Sequence, residues 1–202
     1  MNTYSVKKIK KGTAIDWETI PSADISCYRW RDTEKFHAEA GLVYIEDTAF
    51  QCRLRCEQAD PWALCTENGG KVWMDSALEF FVSFGTEGYI NMEGNALGVH
   101  LAEFGKGRAA RENISGVFSS ESFRTETGWG ILYTLPLGTL RRFFPALYPE
   151  QLIEGFAFRG NFYKTGTRPE SGADHYGMWN EVISETPDFH RPEYFGEFII
   201  MP

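Results

Sequence analysis

Apolar and polar side chains alternate with a period of two along residues 78–84, where Leu78, Phe80, Val82 and Phe84 interleave with Glu79, Phe81 and Ser83. The same period runs through residues 89–95, where Ile90 and Met92 interleave with Tyr89, Asn91, Glu93 and Asn95. Successive side chains of a strand point to opposite faces, so the two segments read as half-buried antiparallel strands joined by a glycine-containing turn. Burying both apolar sets together requires an odd loop count or a bulge, because a one-residue slip moves every side chain to the other face. In that register Glu79 shares a face with Asn91, Glu93 and Asn95, and a polar patch forms on one side of the sheet.

Short segments of β character recur elsewhere, at residues 42–45, 50–56, 128–135, 155–163 and 194–200, with Gly, Pro, Asn and Asp between them. Helical pattern is confined to residues 30–39 and 137–144, the second closed by Pro145. Many short strands with one or two short helices predict an all-β chain, an antiparallel β-sandwich of jelly-roll or immunoglobulin-like form. The 202 residues hold no internal repeat and no low-complexity tract, so residues 1–202 read as a single domain.

A net charge of −8 argues against a general nucleic-acid binder, which needs a basic face to displace counterions from phosphate. The one basic run, Lys7-Lys8-Ile9-Lys10-Lys11, reads as a solvated terminal segment. No apolar stretch approaches the length of a membrane span, and no apolar core of a signal peptide follows the basic run. The expectation is a cytoplasmic chain as given, or a secreted one if a leader has been removed. Cys27, Cys52, Cys56 and Cys65 are too few for a disulfide scaffold and lack paired C-x-x-C spacing, so free, mostly buried thiols are expected.

Trp73 lies just ahead of the first alternating segment, and 15% of the chain is aromatic. Most of these rings must be core, but a tryptophan beside carboxylates and amides is also the chemistry of a sugar site. A pyranose has a C–H face for stacking and a rim of hydroxyls for hydrogen bonds. A solvent-facing sheet surface would show the same alternation. For hydrolysis, Asp75 and Glu79 on one strand would lie about 13 Å apart, beyond the roughly 5–9.5 Å that glycosidases use. Glu79 and Glu93 across the hairpin keep that option open. Asp47, Asp60 and Asp75 sit near strand ends but form no calcium loop motif, and His37, His100, His175 and His190 lack metal-ligand spacing. A second aromatic and polar cluster runs from Asn161 through Trp179-Asn180 to residues 188–196, interrupted by a polar loop at residues 165–174 that should be exposed. If Trp179 faces Trp73, two rings clamp one sugar; a core role for Trp179 is the alternative.

Taken together, these pieces resemble the family 9 carbohydrate-binding modules and their stand-alone relatives. The resemblance spans roughly residues 40–200. It rests on the Trp73-x-Asp75-Ser76-x-x-Glu79-Phe80-Phe81 strand, the Tyr89-x-Asn91-x-Glu93-x-Asn95 strand, and Trp129 through Leu135-Pro136-Leu137. Arg159-Gly160-Asn161-Phe162-Tyr163, Trp179-Asn180 and Phe189-His190-x-Pro192-x-x-Phe195-Gly196 complete it. It implies a jelly-roll-like sandwich that binds mono- or oligosaccharides without cleaving them, and structural calcium. It also implies Trp73 and Trp179 as stacking plates and Glu79 as a hydroxyl acceptor, with Asn91, Glu93, Asn95 and Asn161 as further ligand-binding candidates. Well-studied members are secreted and attached to plant-polysaccharide hydrolases, whereas no catalytic domain is visible here. Two rivals stand beside sugar binding: a small glycosidase or sugar-modifying enzyme using Glu79 and Glu93, and an interaction module that has lost its sugar site.

Overall fold

Residues 1–168 and 172–202 are described by a computed structural model. Its strands are β1 (Thr3–Ile9), β2 (Ala23–Asp24), β3 (Cys27–Tyr28), β4 (Ala38–Ile45), β5 (Ala49–Cys56), β6 (Ala77–Ser83) and β7 (Tyr89–Asn95). They continue with β8 (His100–Gly105), β9 (Glu112–Asn113), β10 (Ser119–Arg124), β11 (Trp129–Pro136), β12 (Ala157–Gly166), β13 (His175–Met178) and β14 (Gly196–Met201). All belong to one curled sheet whose main path runs β10-β11-β5-β4-β1-β14-β12-β6-β7-β8-β9. Its two halves close over a common core. Leu42, Leu54, Ile131 and Tyr133 from β4, β5 and β11 meet Leu78, Phe80, Val82, Met92, Phe162 and Phe198 from the other half. The Tyr133 hydroxyl donates across the sandwich to the Leu78 carbonyl at 2.6 Å. A Cβ at Gly94 would stand 2.2 Å from the Ile131 methyl and 2.6 Å from the Tyr133 hydroxyl, so glycine there permits the close approach.

The central hairpin takes the register that the alternation requires. Val82 pairs with Ile90, Phe80 with Met92 and Glu79 with Glu93. Leu78, Phe80, Val82, Ile90 and Met92 therefore enter the core, each contributing about 1.5–3 kcal/mol on burial. The opposite face is not a solvated surface. A second cluster of Phe81, Tyr89, Tyr163, Tyr176, Met178, Val182, Phe189 and Phe195 forms on it, built largely from the C-terminal quarter of the chain.

Several expectations are corrected. Pairing is mostly antiparallel, but β1 runs parallel to both β14 and β4. Lys7 and Lys8 thus belong to a strand that closes the sandwich, with Lys8 2.9 Å from Glu46, and only Lys10 and Lys11 are exposed. Of the two helices, α1 (Leu137–Leu140) forms, shorter than the pattern suggested. Residues 30–39 are not helical: Trp30 has a left-handed φ of 66°, and β4 already begins at Ala38. Tertiary hydrogen bonds hold this segment instead, from Trp30 Nε1 to the Ser184 carbonyl (2.8 Å) and from the Tyr28 hydroxyl to the Phe36 carbonyl (2.6 Å). The polar loop at 165–174 is not exposed throughout, since β12 extends to Gly166 and both Thr165 and Asp174 are buried. Residues 169–171 of that loop lie outside the described residues. All four cysteines are free, Cys52 and Cys56 buried and Cys27 and Cys65 half-buried. No helix among the described residues is long and apolar enough to cross a membrane.

Candidate functional site

The covered face of β6 and β7 carries a cleft of about 420 Å³. That volume lies within the range of small-molecule sites. Glu79, Phe81 and Glu93 form its floor, Leu101 and Glu103 of β8 flank them, and Thr165 and Tyr176 contribute from β12 and β13. Trp73 and Thr167 stand at its border, and the segment Pro187-Asp188-Phe189-His190 forms a wall with Arg108 nearby.

Trp73 sits on a 3-10 turn, Val72–Met74, anchored by the fully buried Val72. The Asp75 carboxylate holds the turn from behind, accepting the backbone N–H groups of Leu64 and Cys65 and the Asn95 amide, all at 2.9 Å. Asn95 also donates to the Cys65 carbonyl and accepts the N–H groups of Leu97 and Val99. The turn is fixed while its tryptophan remains 42% exposed, so a ring face is presented with little ordering left to occur on binding.

Glu79 and Glu93 are both nearly inaccessible, at 3% and 4% exposure. Asn91 donates to Glu93 Oε1 at 2.9 Å, and its own carbonyl oxygen accepts from Arg111 Nε and Nη2. Arg111 is otherwise committed to the carbonyls of Gly107, Tyr89 and Glu103, and its guanidinium lies 4.1 Å from the Tyr89 ring centre. Burial, and then the mutual repulsion of the pair, pushes the Glu79 carboxyl well above the usual range, with Lys164 opposing. Burial likewise raises Glu93, with the Asn91 hydrogen bond opposing and the Glu103 charge adding to the rise. On the wall, His190 Nδ1 is 2.8 Å from the Tyr89 hydroxyl, and burial followed by the Arg111 charge lowers its pKa to about 4. Phe189 stacks on Tyr163 at 4.1 Å.

The residues singled out from the sequence therefore separate into two groups. Trp73, Glu79 and Glu93 border one cleft, and Asn91 orients Glu93 from below. Asn95 supports the Trp73 turn. Asn161 is fully buried and clasps the C-terminal segment, donating to the Asn180 carbonyl at 2.8 Å and accepting the Asn180 N–H at 2.9 Å. Trp179 does not face Trp73. It stacks on Phe198 at 5.4 Å and meets Tyr4 edge-on inside the main core. The large apolar ring gains more from that burial than from a solvated edge. Trp62, the other tryptophan near the first plate, donates from Nε1 to the Met74 carbonyl and packs against His175 rather than lining the cleft.

Phe81, Tyr176, Phe189 and His190 line the cleft without having been singled out as binding residues. Phe81 was legible, because it shares the parity of Glu79. The others arrive from strands and loops whose pairing no local pattern reveals. For calcium, Asp75 does not fit, since its oxygens are occupied by structural donors, and Asp47 and Asp60 are exposed and distant in the chain. Among the described residues, no group of three or more His, Cys, Asp or Glu side chains is arranged to hold a metal ion.

Comparison with known proteins agrees with this architecture. The model of carbohydrate-binding family 9 matches residues 10–200. Comparison with curated proteins finds no match. Among solved structures, the chain is similar to a "putative carbohydrate-binding protein" from Bacteroides uniformis. The identity is 24% and the TM-score 0.80, with 98% of this chain and 99% of that one covered. It is also similar to a family 9 carbohydrate-binding module from Caldicellulosiruptor kristjanssonii in complex with glucose, at 12% identity and a TM-score of 0.66, covering 99% and 96% of the two chains. The cellotriose complex of a family 9 module from that organism gives 12% identity and a TM-score of 0.65, covering 98% and 93%. These structural likenesses carry the β-sandwich fold; the family match spans nearly the whole sequence, and on it the chain belongs to carbohydrate-binding family 9.

Proposed function

We propose that this protein binds carbohydrate without cleaving it, laying a sugar ring against Trp73 and turning its hydroxyls to Glu79 and Glu93. The observation that carries the reading is the pairing of an exposed, rigidly held tryptophan with two buried carboxyl groups in one cleft of about 420 Å³. The volume suits one pyranose, and longer chains extend past the rim. Tyr176 and Phe189 supply the second aromatic surface that Trp179 does not. Asn91 keeps Glu93 in place for a hydroxyl, and neutral His190 adds a further polar group on the wall. The glucose and cellotriose complexes of the Caldicellulosiruptor kristjanssonii family 9 modules support a hexose or a short oligosaccharide as the ligand class.

Water competes for every hydroxyl hydrogen bond, so affinity is set at roughly the micromolar to millimolar level. The test is isothermal titration with glucose, cellotriose and a panel of other mono- and oligosaccharides, on the wild type and Trp73→Ala. Saturable binding that is lost in the variant supports the reading. Absence of binding to every sugar by the folded wild type would overturn it. Appearance of new reducing ends during incubation would replace it with hydrolysis by the Glu79 and Glu93 pair.

A further inference from the structure

Glu79 and Glu93 are direct partners on adjacent antiparallel strands, the arrangement in which like charges destabilise a sheet. The protein does little to relieve it. Glu93 Oε1 takes the Asn91 amide, but Oε2 is buried with no hydrogen-bond partner, and among the described residues Glu79 makes no side-chain hydrogen bond. The nearby cations are engaged elsewhere. Lys164 Nζ is bonded to the Thr165 carbonyl (2.9 Å) and His175 Nε2 (2.7 Å), and Arg111 to Asn91 and three carbonyls, with the Glu103 carboxylate 3.6 Å from its Nε. Arg108 pairs with Asp188 at 3.2 Å on the exposed side. Two more acids, Glu103 and Asp188, border the same cleft, paired with Arg111 and Arg108. The floor of the site thus sets two carboxyl groups side by side with no cation at ion-pair distance among the described residues, and one buried Glu93 oxygen has no partner.

We propose that the cleft selects sugars bearing a free ammonium group, a 2-amino-2-deoxyhexose such as glucosamine, with the ammonium seated between Glu79 and Glu93. The proposal rests on the reading of the cleft as a sugar site. An ammonium brings three N–H donors and one positive charge, which supplies the orphaned Glu93 oxygen and offsets the repulsion at once. A hydroxyl supplies a single donor and leaves the repulsion in place. A divalent ion would need more ligands than the pair offers, and no such cluster exists among the described residues. The Trp73 ring face adds attraction for a cationic sugar.

Isothermal titration at pH 7 and fixed ionic strength would compare glucosamine, glucose and N-acetylglucosamine as neutral counterparts. Glucosamine is expected to bind at least tenfold tighter than either, equivalent to about 1.4 kcal/mol. In Glu93→Gln, and independently in Glu79→Gln should one variant fail to fold, the ratio should fall to within about threefold. Wild-type affinity for glucose equal to or above that for glucosamine would overturn the proposal and leave the sugar-site reading intact. A preference unchanged in both variants would overturn it as well. Failure of all three sugars, and of the wider panel, would remove both.

Discussion

Replacing Glu93 by glutamine removes a titrating group whose protonated form burial favours. Its pKa is raised from 4.5 to about 7. The native state therefore binds more protons than the unfolded chain between those values, and the sign follows from linkage: stability falls as pH rises through this window. Below about pH 4.5 the group is neutral in both states and its full contribution is present; above about pH 7 that contribution is lost. The loss amounts to about 3 kcal/mol, undiscounted because Glu93 is only 4% exposed. Glutamine keeps the shape and still accepts from Asn91 but does not titrate. The variant should match the wild type near pH 4.5 and exceed it by about 3 kcal/mol at pH 8, or about 6–12 °C in melting temperature for a domain of this size. The other facing charges, Glu103 on β8, Arg111 and Arg108, are the same in both proteins, whereas Glu79 on β6 loses the repulsion of Glu93 in the variant. Neutral His175 and His190 lower stability in acid in both proteins alike, so the difference between the two curves reports the Glu79 and Glu93 pair. Circular dichroism melts at pH 4.5, 6, 7 and 8 read it directly. A difference that stays constant with pH, or a wild type that gains on the variant as pH rises, would refute the reasoning.

Trp73→Ala should leave urea stability within about 0.5 kcal/mol, because the ring is 42% exposed, while weakening sugar binding at least tenfold; binding within twofold of wild type would remove Trp73 from the site. Trp179→Ala should cost about 3–5 kcal/mol as a core cavity, and Trp179→Phe should keep sugar affinity within about threefold. A near-neutral urea midpoint for Trp179→Ala would contradict the burial described. Asn95→Ala should cost about 2–4 kcal/mol by leaving Asp75 and neighbouring backbone groups underserved. Sugar binding should weaken in step, through the loosened Trp73 turn, and titration beside urea melts measures both.

The period-two alternation of residues 78–84 and 89–95 was enough to name two strands, choose their register and put Glu79 opposite Glu93. Such periodicity is a property of consecutive backbone units, so faces and partners within a hairpin follow from local chain geometry. The order of motifs around it was enough to point to the family. What lies over the polar face was a different matter. Residues 175–190 reach it only because β12 pairs with β13, and Asn161 clasps Asn180 from 19 positions away. The same long-range clasp accompanies the turn that sends Trp179 into the core. A tryptophan has the chemistry for a sugar plate or a core ring alike, and its own neighbours do not decide between them. Lys7 and Lys8 show the same division, since their charge reads as solvated and only parallel pairing with β4 and β14 makes them a strand. The sequence by itself determined which side chains share a face. The tertiary structure decided which face is covered, because that depends on which distant segment gains most by burying its own apolar surface there.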